Sequence, residues 1–379
     1  LYIFFIYKYV LNTIIVVMSK EIRKLLAISP KFKSRITGVT TSTYSLLKSL
    51  RNKGYDIQII GFGTEESIPK ISFFEIFQLY KKPNEADYRI FHARRHNEMI
   101  FGIILKYLFQ LKLKLVFTAA KQRPYSKFSK ILIKSMDHVI VTSHKTKPYI
   151  EPLFKKTNKT KNFSVITHGV DIVRFKPSQD KVSLKRKLSL DPEKNYVGCF
   201  GRIRPEKGTH LFIDSVCEIL PNAFNWSALV IGRTTPEYNQ FLYKLRKVIE
   251  DKNLQNRVIF IDEITNIEDY YKVLDLYVAP SLYEGYGLTP LEAMACSVPV
   301  IATDVGYYKE IISDHCGYVV ESCKKDISKY INFYINNTEK LQEHSEKSRL
   351  RVKKYFNHED EVNKILHLYR ELQNYNKLN

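Results

Sequence analysis

The sequence has only five cysteines, an odd number, and no Cys-x-x-Cys pair. That pattern argues against a disulfide framework or a paired-cysteine zinc module and suits a reducing compartment. Cys199 and Cys296 stand in apolar runs and read as buried packing thiols. No G-x-x-x-x-G-K-[ST] run occurs, so there is no P-loop. Helix-turn-helix, RNA-binding aromatic and zinc-finger signatures are also missing, which argues against a nucleic-acid partner. No repeat or low-complexity tract interrupts the chain. Long apolar runs are scarce. The first seventeen residues, LYIFFIYKYVLNTIIVV, contain Lys8 and Asn12 and fall short of the ~20 apolar residues a spanning helix needs. From Met18, MSKEIRKLLAISP has the form of a cytosolic beginning. We expect residues 1–17 to be a mis-called or alternative start, ahead of a membrane anchor or a signal peptide.

Acid is what the first half lacks. Residues 1–176 hold 32 Lys and Arg against 11 Asp and Glu, an excess of 21, while the rest balances 28 against 28. A solubility role is the plain explanation. The sharper one is that this half meets an anionic partner, such as phosphorylated lipid, acidic sugar or nucleic acid.

What is present is enough for two ordinary domains: 379 residues, 44% hydrophobic and 26% charged. From Lys24, short β-rich runs alternate with amphipathic stretches of helix length: KLLAIS, YDIQIIG, YRIFHA, KLVFTAA and HVIVTS, with helices expected near 97–110 and 126–136. A second series follows: NYVGCFGR, WSALVIG, RVIFID, LYVAPS and VPVIAT, with helices near 207–220 and 236–252. Alternation of this kind predicts two doubly wound parallel sheets, an α/β architecture in which ligands lie outside the carboxyl ends of the strands, here in a cleft between the domains. After about 323 the chain reads as helical. A stripe of Val362, Ile365, Leu366, Leu368, Tyr369 and Leu372 could pack across a domain.

Two stretches carry chemistry. PSLYEGYGLTPLEAMACSVPVIAT sets Glu284 and Glu292 eight residues apart around Gly285 and Gly287. Glu292 has a structural explanation, closing a capping box with a threonine N-cap at Thr289. Glu284 gains nothing from capping. Glycines let backbone N–H groups approach a ligand, the following helix end suits phosphate, and a carboxylate can accept both hydrogens of a sugar diol. FGRIRPEKG puts Gly201, Arg202, Arg204 and Lys207 at a strand-to-helix turn, a cationic clamp for a diphosphate unless it is a solvated basic loop.

With ITHGVDIVRFKP, these stretches resemble the retaining glycosyltransferases of family 4, which have the GT-B fold of two Rossmann-like domains facing a cleft. Glu284 to Glu292 match the family's E-x7-E motif, and Arg202 and Lys207 its diphosphate pair. FHARRHNEM and FTAAKQRPYSKFSKILIKSMDHVIVTS further resemble lipopolysaccharide core mannosyltransferases. The resemblance implies that Glu292 holds donor ribose hydroxyls, Glu284 the transferred sugar, Arg202 and Lys207 the diphosphate, and that Gly38 admits the donor to the first domain. It implies a nucleotide-sugar donor, GDP-mannose first, no prosthetic group, and an anionic lipid-linked saccharide acceptor. A UDP-sugar used on another acceptor is the alternative. An NAD-dependent oxidoreductase is a distant one, since GFGTEE at 61–66 lacks the third glycine of a dinucleotide fingerprint.

No Asp-x-Asp run occurs, so nothing in the sequence marks the metal of GT-A enzymes, and the cations would take its place. His92, Arg94, Arg95, Lys121 and Arg123 are the acceptor candidates, with His92 equally readable as a structural histidine. The expected organisation is an extension at 1–17, an acceptor-binding domain at 18–176, a nucleotide-sugar domain at 177–355 and a final helix at 356–379 returning to the first domain. The enzyme would be cytoplasmic and peripheral on the inner face of the membrane. Two positions depart from the family. Ser297 stands where glycine is usual, and Arg94 replaces the second histidine of an H-x-H turn.

Overall fold

The computed structural model describes residues 22–32, 38–62, 67–72, 75–154, 162–312 and 315–375. The expected start at 1–17 and most of GFGTEE lie outside them. The chain divides into two compact units, one of residues 1–167 with 361–379 and one of residues 168–360.

The first unit is built on strands β1 (Ala27–Lys31), β2 (Ile57–Gly61), β3 (Lys70–Ile71), β4 (Arg89–Ala93), β5 (Leu113–Ala119), β6 (His138–Val141) and β7 (Phe163–Val165). They pair in parallel in the order β3-β2-β1-β4-β5-β6-β7. β1, β4 and β6 are buried along their whole length, which is why they read as largely apolar runs: helices cover both faces of such a sheet. Arg89 is the largest of their buried polar residues, beside Ser29, Lys31, His92 and His138. Its guanidinium is fully buried and donates to the carbonyls of Ile22, Leu25, Leu79 and Lys81, and burial pushes its pKa down to about 10.

The second unit holds β8 (Asn195–Phe200), β9 (Trp226–Ile231), β10 (Val258–Ile261), β11 (Leu276–Ala279), β12 (Val300–Thr303) and β13 (Gly317–Val320), all parallel, in the order β10-β9-β8-β11-β12-β13. Both orders reverse direction after their first strand, the doubly wound arrangement in which the reversal opens a crevice at the strand ends. Both units are therefore Rossmann-like α/β sheets.

β3 and β13 had no counterpart in the sequence reading. A two-residue strand has no periodicity to detect, and GYVV is only four residues long and opens on a glycine. The helices at 324–335, 338–355 and 358–373 make the last stretch helical. The chain divides at 167/168 and 360/361, where the sequence had suggested 176/177 and 355/356. The shift at the first boundary follows from contacts: Gly169 lies against the backbone of Asn357 and His358, and Val170 bridges to Asn357, so the polar stretch before Pro177 belongs to the second unit.

Val362, Ile365, Leu366, Leu368 and Tyr369 are buried in the same core cluster as Leu26, Ile57 and Ile90. Gln373 fixes the helix end: it accepts from Tyr55 Oη at 2.6 Å and donates to the carbonyls of Leu26 and Tyr88. Among the described residues no helix is long and apolar enough to cross a membrane. Cys199 and Cys296 are buried thiols, and burial pushes both pKa values up to about 12.

Candidate functional site

At the carboxyl ends of β8 and β11 the second unit has a hollow of about 290 Å³ lined by Gly201, Arg202, Lys207, Thr209, Thr289 and Tyr308 among others. The turn after β8 supplies the cations. Gly208 follows them at φ 67°, and a Cβ there would stand 1.7 Å from the Pro280 carbonyl oxygen. Only glycine lets this loop lie against β11's exit, and that contact aims Lys207 inward. The helix Thr209–Ile219 then starts at the hollow, with Thr209 in its wall.

Glu284 faces the hollow through Lys207. Their side chains form an ion pair and are 19% and 26% exposed. The other carboxylate oxygen of Glu284 accepts from the Gly285 backbone N–H at 3.1 Å. Gly287, at φ 81°, sits over the Tyr308 ring, where a Cβ would lie 2.3 Å from a ring carbon.

Glu292 does not close a capping box. The helix is Thr289–Ala295 with Leu288 at its N-cap position and no side-chain cap, which corrects the expected threonine N-cap. Thr289 instead lines the hollow together with Tyr277 and Tyr308. The Glu292 carboxylate accepts from Tyr271 Oη at 2.8 Å. Burial raises its pKa, partly offset by that hydrogen bond and by the charge of Arg174. A desolvated carboxylate with spare lone pairs is well suited to accept hydroxyl hydrogens. The helix is seven residues long, so the stronger helix end beside the hollow is that of Thr209–Ile219.

The structure thus gathers Gly201, Arg202, Lys207 and Glu284 and sets Glu292 behind them, linked by Tyr271, which packs edge-on against Phe200 of the hollow's wall at 4.8 Å. Tyr271, Tyr277 and Tyr308 escaped the sequence reading, because nothing in the spacing of tyrosines tells a wall from a core, and Thr289 entered it only as a helix cap.

The first unit has a second hollow, about 300 Å³, at the ends of β1 and β4, lined by Ser29, Lys31, Thr43, Tyr44, Arg94, Arg95 and Glu98 among others. Arg94 Nη1 donates to Ser29 Oγ at 3.1 Å, and burial lowers its pKa. Arg95 pairs with buried Glu98 at 3.4 Å. Lys31 is buried, donates to the Phe62 carbonyl at 2.6 Å and lies 5.7 Å from the Tyr44 ring centre. It was missed because one lysine among many carries no signal. Lys121 and Arg123 follow β5 outside this hollow; Lys121 donates to the Pro124 carbonyl and lies over Tyr125. Gly38 is the first residue of the helix Gly38–Asn52.

His92 leaves the acceptor set. It is 1% exposed, and its two ring nitrogens are bonded to the hydroxyls of Tyr369 and Thr118. It is a structural histidine that ties the closing helix to β4. Among the described residues, His315, Glu343 and His344 also bring metal-type donors within 4.8 Å of one another. Both Glu343 oxygens are held by Lys340 and Lys347 and His344 Nδ1 by Tyr334, so a cation there would meet two ammonium groups.

Comparison with known proteins bears on the family and the fold. The family described as Glycosyl transferases group 1 matches residues 180–351. The lipopolysaccharide core biosynthesis mannosyltransferase LpsB of Rhizobium meliloti is 39% identical over 358 residues, covering 93% of this chain and 99% of that protein. The lipopolysaccharide core biosynthesis mannosyltransferase LpcC of Rhizobium leguminosarum bv. viciae is 37% identical over 354 residues, covering 93% and 98%. HepE of Anabaena, solved in complex with UDP and glucose, superposes with a TM-score of 0.75 at 18% identity, covering 91% of this chain and 99% of that one, which is a likeness of fold. Identity above one third along nearly the whole length of two such relatives makes the conclusion plain: the chain belongs to the group 1 glycosyltransferases.

Proposed function

We propose that this glycosyltransferase moves mannose from GDP-mannose to the inner core of lipopolysaccharide, or to a related lipid-linked acidic glycan, with retention of configuration and without a metal. The observation that carries the donor half is that Arg202 and Lys207 line one hollow and that Lys207 is paired with Glu284. Without donor, Lys207 neutralises Glu284. An incoming diphosphate competes for the ammonium and releases Glu284 to accept hydrogen bonds from the sugar's hydroxyls, while Glu292 takes those of the ribose.

Breaking the anomeric C–O bond leaves growing charge on the diphosphate oxygen. Arg202, Lys207 and the start of the helix Thr209–Ile219 meet that charge from fixed positions, and each such donor contributes on the order of 10²–10³ in rate. Substitution on the same face, with the leaving phosphate helping to deprotonate the acceptor, accounts for retention. The names of the relatives at 39% and 37% identity support mannose and the lipopolysaccharide core. The acceptor half rests on Arg94 and Arg95 beside Lys31 and on the charge excess of the first 176 residues, which suit an acidic, phosphorylated acceptor in a membrane leaflet. The protein then works in the cytoplasm, peripheral on the inner face of the membrane.

The test is direct. Purified protein is incubated with GDP-mannose or UDP-hexoses and a truncated lipopolysaccharide core, and the products are read by mass spectrometry. Mannosylated core is the expected product. Transfer from a UDP-hexose alone removes the GDP-mannose assignment, and no transfer from any nucleotide sugar removes the whole reading.

A further inference from the structure

The helix His96–Ile103 continues into a π turn at Ile104–Leu108 and packs beside the helix Lys127–Lys134, with His96 Nε2 bonded to Ser129 Oγ at 3.0 Å. Their inner faces are accounted for: Met99, Leu105, Leu132 and Ile133 are buried in one core. Their outer faces are apolar as well. Ile100, Ile104, Tyr107, Leu108, Phe128 and Ile131 are all exposed, Leu108 by 72% and Ile131 by 63%. Folding does not require this second face. A surface helix needs one apolar stripe, and contiguous exposed apolar surface marks an interaction site.

Charge selects the occupant. Residues 96–136 contain eight Lys and Arg against one acidic residue, Glu98, and Glu98 is buried. Lys127, Lys130 and Lys134 are exposed on the same short helix as Phe128 and Ile131. We infer that this two-helix face docks on an anionic lipid bilayer, its aliphatic and aromatic side chains entering the headgroup boundary and its lysines meeting lipid phosphates. Apolar residues interspersed with lysines along one helix are the composition of interfacial helices, and each lysine near an anionic leaflet adds about fivefold to binding. The choice of a bilayer deepens the proposed lipid-linked acceptor and rests on that reading.

The experiment is co-sedimentation of the full chain with vesicles of phosphatidylcholine alone or mixed with phosphatidylglycerol. Wild type partitions onto the mixed vesicles. The triple variant Lys127→Gln, Lys130→Gln, Lys134→Gln binds them about a hundredfold more weakly, as three lysines at about fivefold each require. The pair Leu108→Ser, Ile131→Ser weakens binding about tenfold or more on both vesicle types, with an unchanged melting temperature. Failure of wild type to bind mixed vesicles overturns the inference, and so does binding that neither variant alters. Concentration-dependent self-association abolished by Leu108→Ser, without vesicle binding, assigns the face to a second copy instead. Donor binding measured separately keeps the two readings apart, because vesicle binding without nucleotide-sugar binding leaves this surface standing and removes only the proposed reaction.

Discussion

At the residue scale, the two carboxylates differ in what surrounds them. Glu284 is neutralised by Lys207, whereas burial raises the pKa of Glu292. A carboxyl group whose pKa is higher folded than unfolded favours the fold most below the unfolded pKa and loses that contribution as pH rises through the folded value. Above the unfolded pKa, ionisation of Glu292 therefore opposes folding. Glu292→Gln keeps an acceptor for Tyr271 and removes the charge, so its Tm should exceed that of wild type at neutral pH, with the gap closing in acid; scanning calorimetry across pH reads both. The same carboxylate should be needed for the donor. Glu292→Ala removes a charged hydrogen bond of ~1.5–3 kcal/mol, so the donor's Kd should rise about tenfold or more by titration calorimetry. Arg202→Ala should act on turnover instead, lowering kcat about 10²–10³-fold with a smaller change in donor Kd.

At the element scale, backbone conformation decides where the side chains go. Gly208→Ala would force a Cβ onto the Pro280 carbonyl and displace the loop that carries Lys207. The expected loss is about 3 kcal/mol or more in denaturant unfolding, accompanied by weaker donor binding. Ser297 shows the reverse case. It ends the helix Thr289–Ala295 at φ 58°, a left-handed position where a side chain costs about 1 kcal/mol. Ser297→Gly should therefore stabilise the protein by about that amount, measured by the same unfolding curve, and leave kcat unchanged. The departure from the family is thus a matter of backbone strain at the helix end.

At the scale of the whole molecule, the chain returns to its first unit at the end. Buried Gln373 satisfies Tyr55, Leu26 and Tyr88, and Tyr369 bonds His92. Deleting residues 361–379 should loosen the first unit and spare the second. Hydrogen exchange should show protection lost in β1, β2 and β4 and retained in β8, β9 and β11.

The sequence by itself determined the architecture and the residue content of the two motifs proposed to hold the donor. Strands covered on both faces are mostly apolar, so most could be read as runs, and Glu284, Glu292, Arg202 and Lys207 lie in short segments whose local order survives folding. Tertiary structure alone decided which of these groups meet. It paired Lys207 with Glu284 across 77 residues, placed Tyr271 on Glu292, drew Lys31 beside Arg94, and turned His92 from an acceptor candidate into a core residue. A histidine at a strand end has the same letter whether it faces solvent or a tyrosine 277 residues away. Burial and long-range pairing are properties of the packed chain, and no local pattern encodes them.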